Sequence, residues 1–274
     1  MSDLQDLFQA RYGSSVVPEG VHVENPVLQT IFRHASVRHF LPDRLPDGTL
    51  EIVTAAAQSA ATSSNLQTWS VLAIEDPARK HKTATLCGDQ DFIRQAPLFL
   101  IFCADLSRLT QVSARHGLPG EGLEFIEMFL MASLDAGLAG QNATLAAEAL
   151  GLGACYVGAA RNRSRELAEL LGLPPRVMAV FGLAIGRPDP ARPASIKPRL
   201  PQREVLHREK WSDEGQAGNF EEYDVTLASF NAGEKREGVP AWTQRSAKRI
   251  ETVESLHGRH VLGDVLQERG FNRR

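Results

Sequence analysis

The chain has 274 residues, and 30 Lys plus Arg against 33 Asp plus Glu leave a formal net charge of −3 with the eight histidines neutral. That balance excludes a protein built mainly on a basic nucleic-acid surface, and 43% hydrophobic with 23% charged residues is the composition of an ordinary folded chain. Cys87, Cys103 and Cys155 are odd in number, far apart and never in C-x-x-C spacing, which excludes a disulfide scaffold or zinc ribbon and points to a reducing, cytoplasmic setting. At the start, MSDLQDLFQARYGSS carries Asp3 and Asp6 in place of a basic n-region, so no secretory signal is expected there.

Residues 1–24 are polar and weakly periodic, with a short helix suggested around Leu4, Leu7 and Phe8, and read as an extension before organised structure begins at Asn25. Asn25 then serves as N-cap and Pro26 as first residue of a helix with Val27, Ile31 and Phe32 on one face. A second helix is expected over 47–61, a turn at TSSN (62–65), a strand over 70–76 ended by Pro77, and a helix over 78–86. CGDQ reads as a turn, and APLFLIFCAD (96–105) as a strand buried on both faces. The apolar stretch 125–152 is broken by Glu127, Asp135, Gln141, Asn142 and Glu148, so it falls short of a membrane span. It predicts a buried central helix over 123–150, about 42 Å long at 1.5 Å per residue. GACYVGAA enters a strand and loop, 163–171 a helix closed by Gly172 and Pro174, and 177–186 another buried strand. Five prolines between Pro188 and Pro201 forbid helix, and a charged tail with helical patches around 219–231 and 241–256 follows. The fold class is α+β. The expected divisions are an extension (1–24), a core (25–204) and a helical extension (205–274), with the proline-rich arm lying on a partner subunit.

Several chemistries fall away. Gly151-Leu-Gly153-Ala-Cys-Tyr156 lacks the third glycine of G-x-G-x-x-G and runs from helix to strand, the reverse of a dinucleotide-binding turn. No P-loop and no G-x-S-x-G elbow occur. His34 with His39 and His257 with His260 lack the spacing and companions of a metal site. What remains is a vocabulary for holding an anion: His34, Ser36 and Arg38 in HASVRHF; Thr62, Ser63 and Ser64 in TSSN; Gln67 and Gln90; Lys197 and Arg199 in KPRLP. Cationic side chains neutralise a phosphate while hydroxyls and turn amides donate to its oxygens. Each piece alone also reads as ordinary turn or surface chemistry.

The order and spacing of H-x-S-x-R-x-F (34–40), T-S-S-x-L-Q (62–67), AGQNATLAAEALGLGACYVGAARN (139–162) and FGLAIGRP-x8-KPRLP (ending at Pro201) resemble the nitroreductase superfamily of FMN enzymes over about residues 25–232. The KPRLP string is the most specific to its group of NADPH-dependent oxygen-insensitive nitroreductases and NADPH-flavin oxidoreductases. The resemblance implies a central, mostly antiparallel sheet flanked by helices, a C-terminal arm exchanged in a homodimer, and FMN bound by both subunits. On the matching positions, His34, Ser36 and Arg38 would meet the flavin phosphate and pyrimidine edge, and Lys197 and Arg199 would complete the cationic pocket. Ser63, Ser64 and Gln67 would come from the partner subunit, Gln90 would bond the ring edge, and Tyr156, Val157 and Gly158 would place backbone beside the isoalloxazine.

The implied activity is ping-pong transfer of a hydride from NADPH, or NADH, through FMN to a small-molecule acceptor: a nitroaromatic, a quinone or free flavin. No catalytic side chain, metal, nucleic acid or membrane is implied. Three departures bear on it: Ala35 stands where the group often has Arg, Ala159 where a second Gly is common, and Asn65 where an aromatic residue covers the substrate pocket. The basic stretch with Lys235, Arg236, Arg245, Lys248 and Arg249, where the group binds the NADPH 2′-phosphate, matches poorly. A flavin-storage protein on the same scaffold, and a flavin reductase feeding a partner oxygenase, are the alternative readings.

Overall fold

The computed structural model describes residues 4–13, 25–271 and 274. Its strands are β1 (Trp69–Ile74), β2 (Leu98–Asp105), β3 (Gly153–Val157) and β4 (Val177–Gly186). In chain order the helices are α1 (Leu4–Tyr12), α2 (Pro26–Arg33), α3 (Thr49–Gln58), α4 (Pro77–Leu86), α5 (Asp91–Gln95), α6 (Ser107–Arg115), α7 (Ile126–Ala149), α8 (Ser164–Leu171), α9 (Gln202–Val205), α10 (Gln216–Gly233), α11 (Trp242–Arg249) and α12 (Leu262–Glu268). The strands form one antiparallel sheet in the order β1-β2-β4-β3. Two compact units divide the chain: Ser36–Ala194 with Leu256–Arg274, and Met1–Ala35 with Ser195–Ser255.

The first unit holds the sheet. Every residue of β2 is buried, and because side chains alternate along a strand it feeds two cores. Phe99, Ile101 and Cys103 pack with Ile93, Val157 and Leu167 on one side. Leu98, Leu100 and Phe102 pack with Val53, Ala57 and the alanines 136, 139, 143 and 147 of α7 on the other. That small-residue stripe lets α7 lie close on the sheet. The opposite face of α7 departs from the expected fully buried helix, for Leu130, Leu134 and Leu138 are each half or more exposed in the single chain.

Several boundaries differ from the sequence reading. Helix α3 starts at Thr49 because Gly48 adopts φ 82°, and the Thr49 hydroxyl donates to the Pro46 carbonyl at 2.6 Å. The long helix is shortened at its start because Phe125 is extended, separating it from a 3-10 turn over Glu121–Glu124. Helix α6 was absent from the reading; Asp105, the last residue of β2, accepts from the Ser107 and Arg108 amides at 2.9 and 3.3 Å and so starts it. Residues 256–271 return to the core beside the sheet, with Val265, Leu266 and Phe271 packed against Leu106, Leu123 and Met178. No helix among the described residues is long and apolar enough to cross a membrane.

In the second unit, Asn25 caps α2 as expected, its Oδ1 accepting from the Val27 and Leu28 amides at 2.9 and 3.3 Å. Organised structure nevertheless begins before Asn25. Leu7 and Phe8 of α1 are buried with Tyr12, Phe32 and Ile196. The part of the expected extension over 14–24 lies outside the described residues.

Candidate functional site

In the sheet-bearing unit, the segment after Ala35 is extended and adds to the edge of β3: Ser36 bridges Ala154 in parallel, and the Val37 amide donates to the Ala154 carbonyl at 3.0 Å. Gly153 makes this approach possible, since a Cβ there would stand 2.5 Å from Val37 Cγ2. Val37 and Phe40 are buried, while Ser36, Arg38 and His39 are exposed. The Arg38 guanidinium makes a long 3.5 Å hydrogen bond to the Ser36 carbonyl. At the other end of β3, Tyr156 is about a third exposed, Val157 is buried, and Gly158 opens a 3-10 turn to Arg161. Burial, with the nearby Glu148 carboxylate adding to it, pushes the Tyr156 phenol above its ordinary range, so it stays protonated near neutrality.

Gln90 sits beside that turn. Its Nε2 donates to the Cys87 carbonyl at 3.0 Å, and Gly88, at φ 84°, faces Ala159 so closely that a Cβ would come within 3.1 Å of the alanine methyl. The structure therefore brings Gln90 and Gly158 to one place. Burial pushes the thiols of Cys87 and Cys103 up to about 12, which removes them as nucleophiles near neutrality.

Ser63, Ser64 and Gln67 lie on a tightly wound loop in which Ser64, Asn65 and Gln67 all have left-handed φ, near 50°. Such values cost about 1–3 kcal/mol each for residues other than glycine, and persist only where the surroundings enforce them. Two side chains missed by the sequence reading do so. Asp135 of α7, 2% exposed, accepts from the Ser63 amide at 2.9 Å through Oδ1, and from the Thr68 amide at 3.3 Å and hydroxyl at 2.8 Å through Oδ2. Arg108 of α6 donates to the carbonyls of Gln67 and Trp69 and to Ser70 Oγ at 3.0 Å. The only sequence signal for Asp135 was an acid interrupting an apolar helix. Beside the loop lies a cleft of about 390 Å³ lined by Thr54, Gln58, Asn65, Gln67, Trp69 and Arg108, among others. No hydrogen bond among the described residues joins Ser63, Ser64 or Gln67 to Gln90 or Gly158.

The second unit carries His34, Lys197 and Arg199. Arg11 organises them: its guanidinium donates to the carbonyls of Lys197 (2.9 Å), Phe32 (3.0 Å) and His34 (2.8 Å). One planar fork thus fixes the His34 and Lys197 backbones side by side. The Tyr223 hydroxyl holds the Pro198 carbonyl at 3.0 Å. Lys197 and Arg199 are exposed on this fastened segment. Of the basic stretch beyond, Arg236 pairs with Glu234 at 3.5 Å and Lys248 with Glu251 at 2.6 Å, while Arg249 donates to the Ser255 carbonyl. No group of three or more His, Cys, Asp or Glu that could hold a metal ion occurs among the described residues.

Residues 31–187 match the model of the Nitroreductase family, and residues 197–274 that of the Nitroreductase family, C-terminal domain. The chain belongs to the nitroreductase family. Among curated relatives, an FMN reductase (NADPH) from Bacillus subtilis is 34% identical over 255 residues, 91% of this chain and 99% of the relative. An oxygen-insensitive NADPH nitroreductase from Salmonella typhimurium is 37% identical over 208 residues, 75% of this chain and 82% of the relative. The solved structure of NfrA1 nitroreductase from B. subtilis superposes with a TM-score of 0.84 at 32% identity, covering 90% of this chain and all of that one. Every candidate residue from His34 to Arg199 falls inside the two nitroreductase-family spans; Arg11 falls outside both.

Proposed function

We propose that this protein is an FMN-dependent oxidoreductase that takes two electrons from NADPH and passes them to a nitroaromatic, a quinone or free flavin, working as a homodimer in the cytoplasm. The observation that carries the reading is that both nitroreductase-family spans together contain the whole candidate donor set. Each unit by itself offers donors of the kind a flavin phosphate takes: Arg38 and the hydroxyls of Ser36, Ser63 and Ser64 in the sheet-bearing unit, and Lys197 and Arg199, on the segment fastened by Arg11 and Tyr223, in the other. Arg and Lys would neutralise the phosphate and the hydroxyls would donate to it. Gly158 keeps the approach to its own backbone open, since a Cβ there would meet nothing closer than Arg161 Nη2 at 3.6 Å. Gln90, anchored through Nε2 on the Cys87 carbonyl, would offer its Oε1 to a ring edge. When bound, FMN supplies the hydride-accepting and hydride-donating centre.

Two features support a dimer. The apolar stripe Ile126, Leu130, Leu134 and Leu138 of α7 recurs every four residues and is at least half exposed at each position, a surface that water does not favour. The Ser63–Gln67 loop, built for contact yet bonded to neither Gln90 nor Gly158 of its own chain, suits a role in the partner's site. Three buried free cysteines fit a reducing compartment.

The absorbance spectrum tests the reading. The purified protein is expected to be yellow and to bleach when NADPH is added without oxygen, and NADH in a parallel cuvette measures the nicotinamide preference. Yellow protein that bleaches with neither would replace the enzyme by a flavin-storage protein. Comparing free FMN with a nitrofuran as acceptor separates flavin reductase from nitroreductase.

A further inference from the structure

Helix α1 precedes both spans that match the family, yet it is seated rather than dangling. The Phe8 ring packs in tilted contact with Phe32 at 5.1 Å and Tyr12 at 5.4 Å, and the last turn of α1 carries Arg11, 6% exposed. The three carbonyls on that guanidinium come from two segments that the sequence separates by more than 160 residues, at Phe32 and His34 and at Lys197. The exchange also runs the other way, because the Arg199 amide donates to the Arg11 carbonyl at 2.8 Å. Four hydrogen bonds therefore join one residue to the backbones that carry His34, Lys197 and Arg199. Only an arginine supplies donors spread across a plane for three separate acceptors; a lysine ammonium is a point.

We propose that Arg11 is a positioning residue: it presets the phosphate end of the flavin site by clamping the His34 and Lys197–Arg199 backbones before the ligand arrives, an inference that rests on the flavin reading above. A clamp of this kind acts on the phosphomonoester and leaves the isoalloxazine contacts alone. Its signature is therefore a loss of discrimination between FMN and riboflavin, which share the ring and differ in the phosphate.

The test uses the full-length protein stripped of flavin. FMN and riboflavin are each titrated by quenching of flavin fluorescence, and melting temperatures are recorded alongside, for wild type, Arg11→Met and Arg11→Lys. Wild type is expected to bind FMN more tightly than riboflavin. Arg11→Met is expected to weaken FMN about 10- to 100-fold, the range for losing charge-assisted bonds, and to leave riboflavin unchanged. Arg11→Lys keeps the charge and the apolar stem and so preserves folding even where the methionine variant fails; it is expected to lose most of the preference for FMN as well. FMN affinity that survives in Arg11→Lys, or FMN and riboflavin affinities that fall in parallel, would overturn the clamp. Wild-type protein that does not distinguish the two flavins would instead refute the phosphate reading itself.

Discussion

Replacing Asp135 by Asn isolates what holds the Ser63–Gln67 loop. An asparagine keeps an Oδ1 for the Ser63 amide, but its Nδ2 faces the Thr68 amide and hydroxyl with hydrogens where Asp135 offered lone pairs. Thr68 is fully buried, so water does not substitute. Losing bonds to a charged acceptor and stranding a buried donor costs about 2–4 kcal/mol, as much as one or two of the three left-handed residues cost to hold. For a domain of this size that lowers Tm by roughly 5–12 °C. Thr68→Val removes only the hydroxyl donor and is expected to cost about 1–2 kcal/mol; in the double variant the two losses overlap instead of adding, because they delete the same bond. Thermal melts give the stability change, and native-state amide exchange reports whether Ser63 to Gln67 lose protection ahead of the β-strands. An Asp135→Asn protein with unchanged melting and an unchanged loop would refute the argument that this carboxylate enforces the strained turn.

Four further outcomes follow from the same geometry. Arg199→Ala removes a proposed phosphate contact and is expected to weaken FMN binding about 10- to 100-fold; equilibrium dialysis with FMN retention unchanged would take Arg199 out of the site. Gly153→Ala drives a methyl into Val37 and should cost about 1–3 kcal/mol, with Val37→Ala in the same chain restoring part of it in a denaturant melt. If the proposed dimer forms through the exposed stripe of α7, Leu134→Arg is expected to convert it to monomer by light scattering and to weaken flavin retention; a variant that stays dimeric would move the interface elsewhere. Cys87 and Cys103, whose thiols burial pushes from 9.0 to about 12, should resist iodoacetamide at pH 8 in the folded state. Because their folded values are raised, the stability they contribute is present below pH 9 and is lost as pH rises from 9 toward 12, visible as a falling Tm over that window.

The sheet was legible because its strands are continuous apolar runs between punctuating residues: Pro77 after β1, Asp105 closing β2, Gly186 closing β4. Helix α7 was legible in length but not in setting. Its apolar residues run around the whole circumference, so periodicity gave no facing direction, and only the structure separates the alanine stripe on the sheet from the leucine stripe left outside. The short helices α5 and α6 were missed for a different reason. Helix α5 is only five residues long, too short for a hydrophobic repeat, and follows α4 after a brief turn, while α6 is started by Asp105, a residue that reads equally well as the end of a strand. The end of the chain was read only as part of a charged tail with helical patches up to 256, and its return to the core through Val265, Leu266 and Phe271 went unread because those side chains stand among charged neighbours.

A sharper division separates the residues proposed to meet the ligand from those that hold them. His34, Ser36, Arg38, Lys197 and Arg199 stand out in the sequence because binding a phosphate demands particular side chains at particular spacings. Arg11, Arg108 and Asp135 work on backbone carbonyls and amides, plus a hydroxyl at Ser70 and another at Thr68. Nearly every residue has those backbone groups, so the partner leaves no mark on the sequence and no spacing rule can find the pair. What such supports do leave is an apparent misplacement: a carboxylate on the alanine face of an apolar helix, or an arginine in a segment that otherwise reads as an unstructured extension. Burying a charge is costly unless its hydrogen bonds are met. A charge whose position conflicts with the local pattern is therefore the place to look for a support, and in this chain both Asp135 and Arg11 fit that rule.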